Sequence, residues 1–241
     1  MAETFPALVA DLLRTDPGRP LVTFYDDATG ERTELSVATW ANWVAKTASL
    51  LVEELDLERG DRIHVDLPTH WLGPVFLGAA WTVGLVVVDS PEADVIVSGP
   101  ERLEEHADRG APVIGCALLP LGGRFPDGVP PGVHDFGVEV WSQPDSFVPW
   151  DPPGPDDEAL PGRTHRELLA PTADEGLLGD GGRLLTTANP ASPSGLASFT
   201  EPLVRRGSVV WVRHADPSLW EHRRATERAT AVWSPAHPAR S

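Results

Sequence analysis

Between residues 37 and 55 the apolar positions Val37, Trp40, Val44, Ala48, Leu51, Val52 and Leu55 recur at three- and four-residue steps. That spacing predicts one stripe of an amphipathic helix. Residues 57–62 interrupt it, with Gly60 placed to take the positive φ of a sharp reversal. Ile63, Val65 and Leu67 then alternate as a short strand. A second helical stretch, about 72–83, has Trp71, Val75, Ala79 and Val83 along one side, and residues 85–88 are apolar on both faces of a further strand. Helix, strand, helix, strand predicts an α/β fold in three layers, a mostly parallel sheet with helices against it.

The flanking pattern is weaker. Phe5, Leu8, Val9, Leu12 and Leu13 predict a short first helix, and residues 21–25 and 31–35 a hairpin around the turn at 26–30. After the central unit, 94–99 reads as a strand, 101–108 as one exposed helix and 113–118 as another strand. From 120 to 161 prolines and glycines remove any period. The run 150–158 is open to two readings, a mobile linker or a surface loop pinned by Trp150. Helices at 164–169 and 196–203 and strands at 183–187 and 208–212 follow. Asp216-Pro217 marks a helix start, and that helix runs to about Arg228 with Arg223 and Glu227 paired at four-residue spacing. Residues 231–233 suit a last strand before a frayed, proline-rich tail. The chain reads as a single domain, 1–241, with an irregular excursion at 120–161; the alternative is a two-domain chain divided at 149–161.

Composition narrows the function. Thirty-six acidic residues against nineteen basic ones leave a net charge of −17, which repels nucleic acid and anionic lipid. The one cysteine, Cys116, rules out an internal disulfide and reads as a buried small hydrophobe. Met1-Ala2-Glu3 lacks the basic start of a signal peptide, so a cytoplasmic location is expected. Residues 67–88 carry no charge, as a span of about 20 residues would require. Pro68, Gly73, Pro74, Gly78 and Gly84 argue instead for a buried helix followed by a strand.

Candidate chemistry is sparse. Gly-x-Gly-x-x-Gly, the phosphate-binding Gly-x-x-x-x-Gly-Lys-Ser/Thr loop, Gly-x-Ser-x-Gly and His-Glu-x-x-His are all missing. His64 and Asp66 share a strand face, and His214, Asp216 and His222 lie close in sequence, but neither set has a three-ligand spacing; no metal, cofactor or catalytic position is assigned. Asp66 and Asp89 end two adjacent strands. Ligands in open α/β sheets bind beyond the carboxyl ends of strands, so Asp66, His70 and Asp89 mark a possible small-molecule crevice, or simply the point where solvent begins.

The central stretch resembles the opening of the AMP-binding, adenylate-forming ligases, the superfamily of acyl-CoA synthetases and adenylation domains. The resemblance rests on Thr33-Glu34-Leu35, the helix from Trp40 to Leu51, Gly60-Asp61-Arg62-Ile63, Leu67-Pro68, Phe76-Leu77-Gly78-Ala79-Ala80, Gly84 to Val88 and Asp89-Ser90-Pro91. Downstream, Leu160-Pro161-Gly162, Thr164-His165-Arg166 with Leu168-Leu169, Gly182-Arg183-Leu184-Leu185, Pro202-Leu203 and Gly207-Ser208-Val209-Val210 resemble later segments in the family's order.

The resemblance implies the family's N-terminal subdomain fold. It also implies a serine/threonine- and glycine-rich phosphate loop with a lysine, whose donors and charge would hold the triphosphate. Here that place is taken by Asp156-Asp157-Glu158-Ala159, and the lysine is missing. The sequence ends before the family's ribose-binding aspartate and catalytic lysine, so no family catalytic residue maps onto it. It looks like a short, degenerate relative of the sort encoded by actinobacteria. Carboxylate adenylation is therefore not expected. The expected role is binding, as a self-associating or partner subunit, with Trp141, Trp150 and Trp220 as interface candidates because they lie in proline-rich or polar surroundings. Binding of a small organic ligand, or a different enzyme using the Asp66, His70 and Asp89 crevice, is the alternative.

Overall fold

The structure, a computed structural model, describes residues 2–170 and 176–234. After a first helix α1 (Phe5–Thr15), strands β1 (Pro20–Asp26) and β2 (Glu31–Ser36) form the expected hairpin. The striped helix is α2 (Val37–Glu53), started by Ser36, whose Oγ accepts from the Thr39 N–H at 3.1 Å. Then come β3 (Arg62–Asp66), α3 (Leu72–Val83), β4 (Val86–Val88), β5 (Val95–Ser98), α4 (Leu103–Ala107) and β6 (Val113–Gly115). The expected parallel sheet is present, in the order β4-β3-β5-β6 and then β7 (Val133–Asp135), with every pair parallel.

The second half supplies α5 (Phe136–Glu139), the small hairpin β8 (Glu158–Leu160) and β9 (Arg163–Thr164), α6 (His165–Leu168), β10 (Arg183–Thr186), α7 (Ala197–Val204), β11 (Ser208–Arg213), α8 (Trp220–Thr226) and β12 (Ala231–Trp233). A second five-stranded sheet runs β12-β10-β11-β1-β2, parallel except for the β1–β2 hairpin. β1 enters it from the N-terminal end of the chain and β10 to β12 from the C-terminal end.

Two sheets sharing one helical layer extend the three-layer arrangement read from the sequence. α2 rests on β1 and β2, α3 rests on β3 and β4, and α7 rests on β10 and β11. α4 covers the far side of the first sheet at β5 and β6. Between the sheets an aromatic core holds Phe5, Phe24, Trp40, Trp81, Phe199 and Trp211, all fully buried. Their indole N–H groups are not left dry: Trp40 donates to the Pro74 carbonyl, Trp81 to that of Ala159 and Trp211 to Ser198 Oγ. α3 is buried on every side, which explains why residues 67–88 carry no charge. Gly78 permits its close approach to α2, since a Cβ there would lie 2.9 Å from both Trp40 and Val44.

Four expectations are corrected. The 101–108 segment is not one exposed helix; it shortens to α4 and buries Leu103 and His106. The excursion at 120–161 is not wholly irregular, because it contributes β7, the edge strand of the first sheet. Trp150 does not pin its loop, being fully exposed; Arg59 does so by gripping Asp151 and Asp157, each at 2.8 Å. Arg223 and Glu227 do not pair with each other. Arg223 turns to Asp27, 2.5 Å away, and Glu227 takes Arg183 and Arg32. The tail from 235 lies outside the described residues.

Candidate functional site

The carboxyl ends of the first sheet's strands face loops from both halves of the chain. Asp66 closes β3 and lines a cleft of about 230 Å³ with Pro68, Pro100, Arg102, Leu118 and Asn189. Asn189 comes from the loop after β10 and ties that loop down by donating from its side-chain amide to the Leu67 carbonyl at 2.8 Å. Gly195 makes the loop's turn possible, because a Cβ there would meet the Asn189 carbonyl oxygen at 1.9 Å. Asp66 is half-buried and receives two donors on one oxygen, His106 Nε2 at 2.7 Å and Arg102 Nη1 at 2.9 Å.

The three crevice residues read from the sequence do not meet in one pocket. Asp89, exposed at the end of β4, lines a separate cleft of about 310 Å³ whose walls are Leu77, Val87, Leu160 and Leu196, with Arg163 as a second charge. His70 lines neither cleft. It is buried between Phe24 and Trp71, ring centroids 4.8 and 5.5 Å away, and its Nδ1 accepts from the Leu72 N–H. Burial, seconded by Arg213, pulls its pKa down to about 3, so the ring is neutral at physiological pH and its place is in the core. Alternation along the strands located Asp66 and Asp89. Periodicity gives no sign that His70 turns inward toward β1.

The same residues reveal a grouping that sequence spacing does not. His64 and Asp66 lie on one face of β3, and α4 brings His106 over it, so one ligand atom from each side chain lies within 4.8 Å of the others. His106 stands forty residues beyond Asp66 on a short helix, and only its position three after the buried Leu103 hints that it faces inward.

The tryptophans divide. Trp150 is 100 % exposed and Val148 88 %, both beside a cleft of about 490 Å³ formed with Val52, Leu57, Val83 and Phe147. Trp141 is half-exposed but rests edge-on against Trp43, centroids 5.3 Å apart. Trp220 packs on the outer cluster of Leu185, Val210 and Val212.

Where a nucleotide-phosphate loop would stand, the acidic residues are engaged with protein partners. Asp157 accepts from Gly154 N and Arg59, contacts that hold its carboxyl below the usual range, and Asp156 pairs with Arg166. Lys46, the one lysine, is occupied with Asp145 and the Gln143 carbonyl. Cys116 is buried just beyond β6, and burial pushes its thiol well up, away from reactive thiolate. Among the described residues no helix is long and apolar enough to cross a membrane.

No family profile matches the chain. A Mycobacterium tuberculosis protein described as a TIGR03089 family protein is 39% identical over 238 residues, spanning 94% of this chain and 96% of that protein. Solved structures share the fold at low identity. An acyl-CoA synthetase from Brucella canis superposes with a TM-score of 0.74 at 15% identity, over 94% of this chain and 47% of its own. A benzoate CoA ligase from Burkholderia xenovorans LB400 gives 0.72 at 17%, over 95% and 49%. The N-terminal domain of FACL13 from Mycobacterium tuberculosis gives 0.71 at 15%, over 95% and 62%. The chain thus has the fold of the N-terminal region of adenylate-forming ligases, and spans about half the length of the Brucella canis and Burkholderia xenovorans structures.

Proposed function

We propose that this chain, which belongs to the TIGR03089 family, acts in the cytoplasm by binding rather than by forming acyl adenylates, and that it binds a second copy of itself through the face around Trp150. The observation carrying this reading is a fully exposed indole beside a nearly fully exposed Val148, on a loop that Arg59 holds in place by two ion pairs. An aromatic presented on an ordered loop loses little freedom on docking, and such residues dominate interface energetics. The adjoining cleft with Phe147 and Leu57 offers a receptor of suitable size for the partner's indole. Against adenylation stand the acidic run at 156–158, its engagement with arginines, and the commitment of Lys46 elsewhere.

Light scattering coupled to size-exclusion chromatography tests this. The wild-type chain is expected to show a concentration-dependent dimer, and Trp150→Ser with Val148→Ser a monomer. A wild-type monomer at every concentration, or a dimer that persists in the variant, overturns the self-association. ATP–pyrophosphate exchange above background with a carboxylate panel overturns the non-adenylating part separately.

The Asp89 cleft favours a second reading, recognition of a small organic ligand. Its walls are mainly aliphatic and it carries one acidic and one basic group, Asp89 and Arg163. Saturable thermal stabilisation by a small amphiphilic acid or amine, lost on Leu196→Asp, supports it; no stabilisation across such a panel removes it.

A further inference from the structure

We propose that His64, Asp66 and His106 form a binding site for one borderline divalent transition-metal ion, of the zinc class, opening toward the cleft beside β3. The argument begins with the strand. Residues two apart on β3 point the same way, so His64 and Asp66 present their side chains side by side. α4 crosses the same face, burying Leu103 among Ile96 and Val113 and placing the fully buried His106 over the pair. One potential ligand atom from each then lies within 4.8 Å of the other two.

At His64 the proton position suits a metal. His64 Nδ1 sits 3.0 Å from the Val88 carbonyl, which can only accept, so the ring proton is on Nδ1 and the Nε2 lone pair is left available. Metal-ligating histidines use this arrangement, in which the carbonyl fixes both ring and tautomer. His106 Nε2 donates to Asp66 in the ion-free chain, so ligation through Nε2 shifts that proton to Nδ1, which is buried without a protein hydrogen-bond partner. Tetrahedral zinc with bonds of roughly 2.0–2.1 Å sets its ligands roughly 3.4 Å apart, so the His106–Asp66 pair, now 2.7 Å apart, opens a little and the wider separations, none above 4.8 Å, close. Two imidazoles and one carboxylate favour zinc, cobalt or nickel over calcium or magnesium.

Arg102 is the competing cation. Its guanidinium lies 2.9 Å from Asp66, but the side chain is half-exposed and also pairs with Glu105 at 3.0 Å. An incoming ion therefore displaces a group that has another carboxylate to hold. The cleft beyond Asp66 leaves room for a fourth ligand from solvent or from a small anion.

The test uses the full chain, tag-free and stripped with chelator, titrated with Co²⁺ and followed by visible d–d absorption, with Zn²⁺ as competitor. One ion per chain is expected, displaced by Zn²⁺. His64→Gln and Asp66→Asn alter half-buried side chains, and their folding is checked by circular dichroism. Groups that merely hydrogen-bond a metal's ligands are worth roughly 10- to 100-fold in metal affinity, so loss of a ligand should weaken binding by at least about 10-fold. Arg102→Ala should tighten binding, and His222→Ala, at an exposed site, should leave it unchanged. Failure of Co²⁺ to bind, or unchanged affinity in both His64→Gln and Asp66→Asn, overturns the proposal.

Discussion

The layer between α2, α3 and the first sheet is held by shape; the outer face of the second sheet adds buried ion pairs to a small apolar cluster of Leu185, Val210 and Val212. In the first region Trp40, Val44 and Ala48 interdigitate with an α3 so closely packed that Gly78 has no room for a Cβ. In the second, α8 lies over β1 through Arg223 and Asp27, whose side chains are 8 % and 6 % exposed, and through Glu227, which gathers Tyr25, Arg32 and Arg183. Burial raises the Glu227 carboxyl, but the hydrogen bonds from Tyr25, Arg183 and Arg32 outweigh it and leave the pKa below its ordinary value. Apolar packing tolerates approximate partners, whereas a buried charge needs its counter-charge in place. The two regions should therefore fail differently when cut.

The largest effect is expected in the packed region. Trp40→Ala removes an indole that is fully buried against Phe5, Phe199 and Gly78, and should cost about 3–5 kcal/mol of unfolding free energy. Urea denaturation followed by far-ultraviolet circular dichroism measures it. A loss below about 1 kcal/mol would mean that the inter-sheet core is not the molecule's main source of stability.

The charged face should show a sharper signature. Asp27→Ala strands Arg223 in a buried setting and should cost about 3 kcal/mol. Replacing both partners, with Asp27→Leu and Arg223→Met, should restore most of that loss, because an apolar pair needs no counter-charge. If the double variant is as unstable as the single one, packing of the arginine's stem rather than charge pairing holds α8, and the contrast between the regions dissolves.

The same contrast decides what was legible in the sequence. A stripe such as Val37, Trp40, Val44, Ala48 and Leu51 states its buried face directly, and the parallel sheet followed from it and from the strands at 63–67, 85–88 and 95–97. Charged residues declare only that they want partners. Arg223 and Glu227 at four-residue spacing suit a local helix pair, yet each finds a partner nearly two hundred residues away, Arg223 at Asp27 in the turn after β1 and Glu227 at Arg32 on β2, and Glu227 a further one on β10. That choice depends on sheet order, which no local pattern encodes. β7 is not legible in the sequence because three residues between prolines and glycines have no period of their own; they become a strand only against β6. At the candidate site, Asp66 could be placed from strand alternation, while His106 joins it through the packing of a five-residue helix.

His70 stands where the two regions meet, between Phe24 of β1 and Trp71 at the entrance to α3, and it gives the smallest of the three effects. Burial first, then the positive charge of Arg213, lower its pKa to about 3, against a weaker opposite pull from Asp26. The unfolded chain holds this imidazole near its ordinary value of about 6.5, so between those limits the unfolded state binds more protons than the folded one. Stability from the neutral ring is complete above about pH 6.5 and is lost as pH falls through the window toward 3. At about 1.4 kcal/mol per unit, going from pH 7 to pH 5 should cost about 2 kcal/mol. His70→Asn retains an acceptor near the Nδ1 position for the Leu72 N–H but cannot take up a proton. The variant should start less stable at pH 7, having lost ring packing against Phe24, and then change less on acidification. Denaturation midpoints at pH 7, 6 and 5 give the two slopes. Parallel slopes would show that the acid sensitivity comes from the charged face, where Glu227 has its carboxyl held below the ordinary value, and would assign the pH response to that region instead.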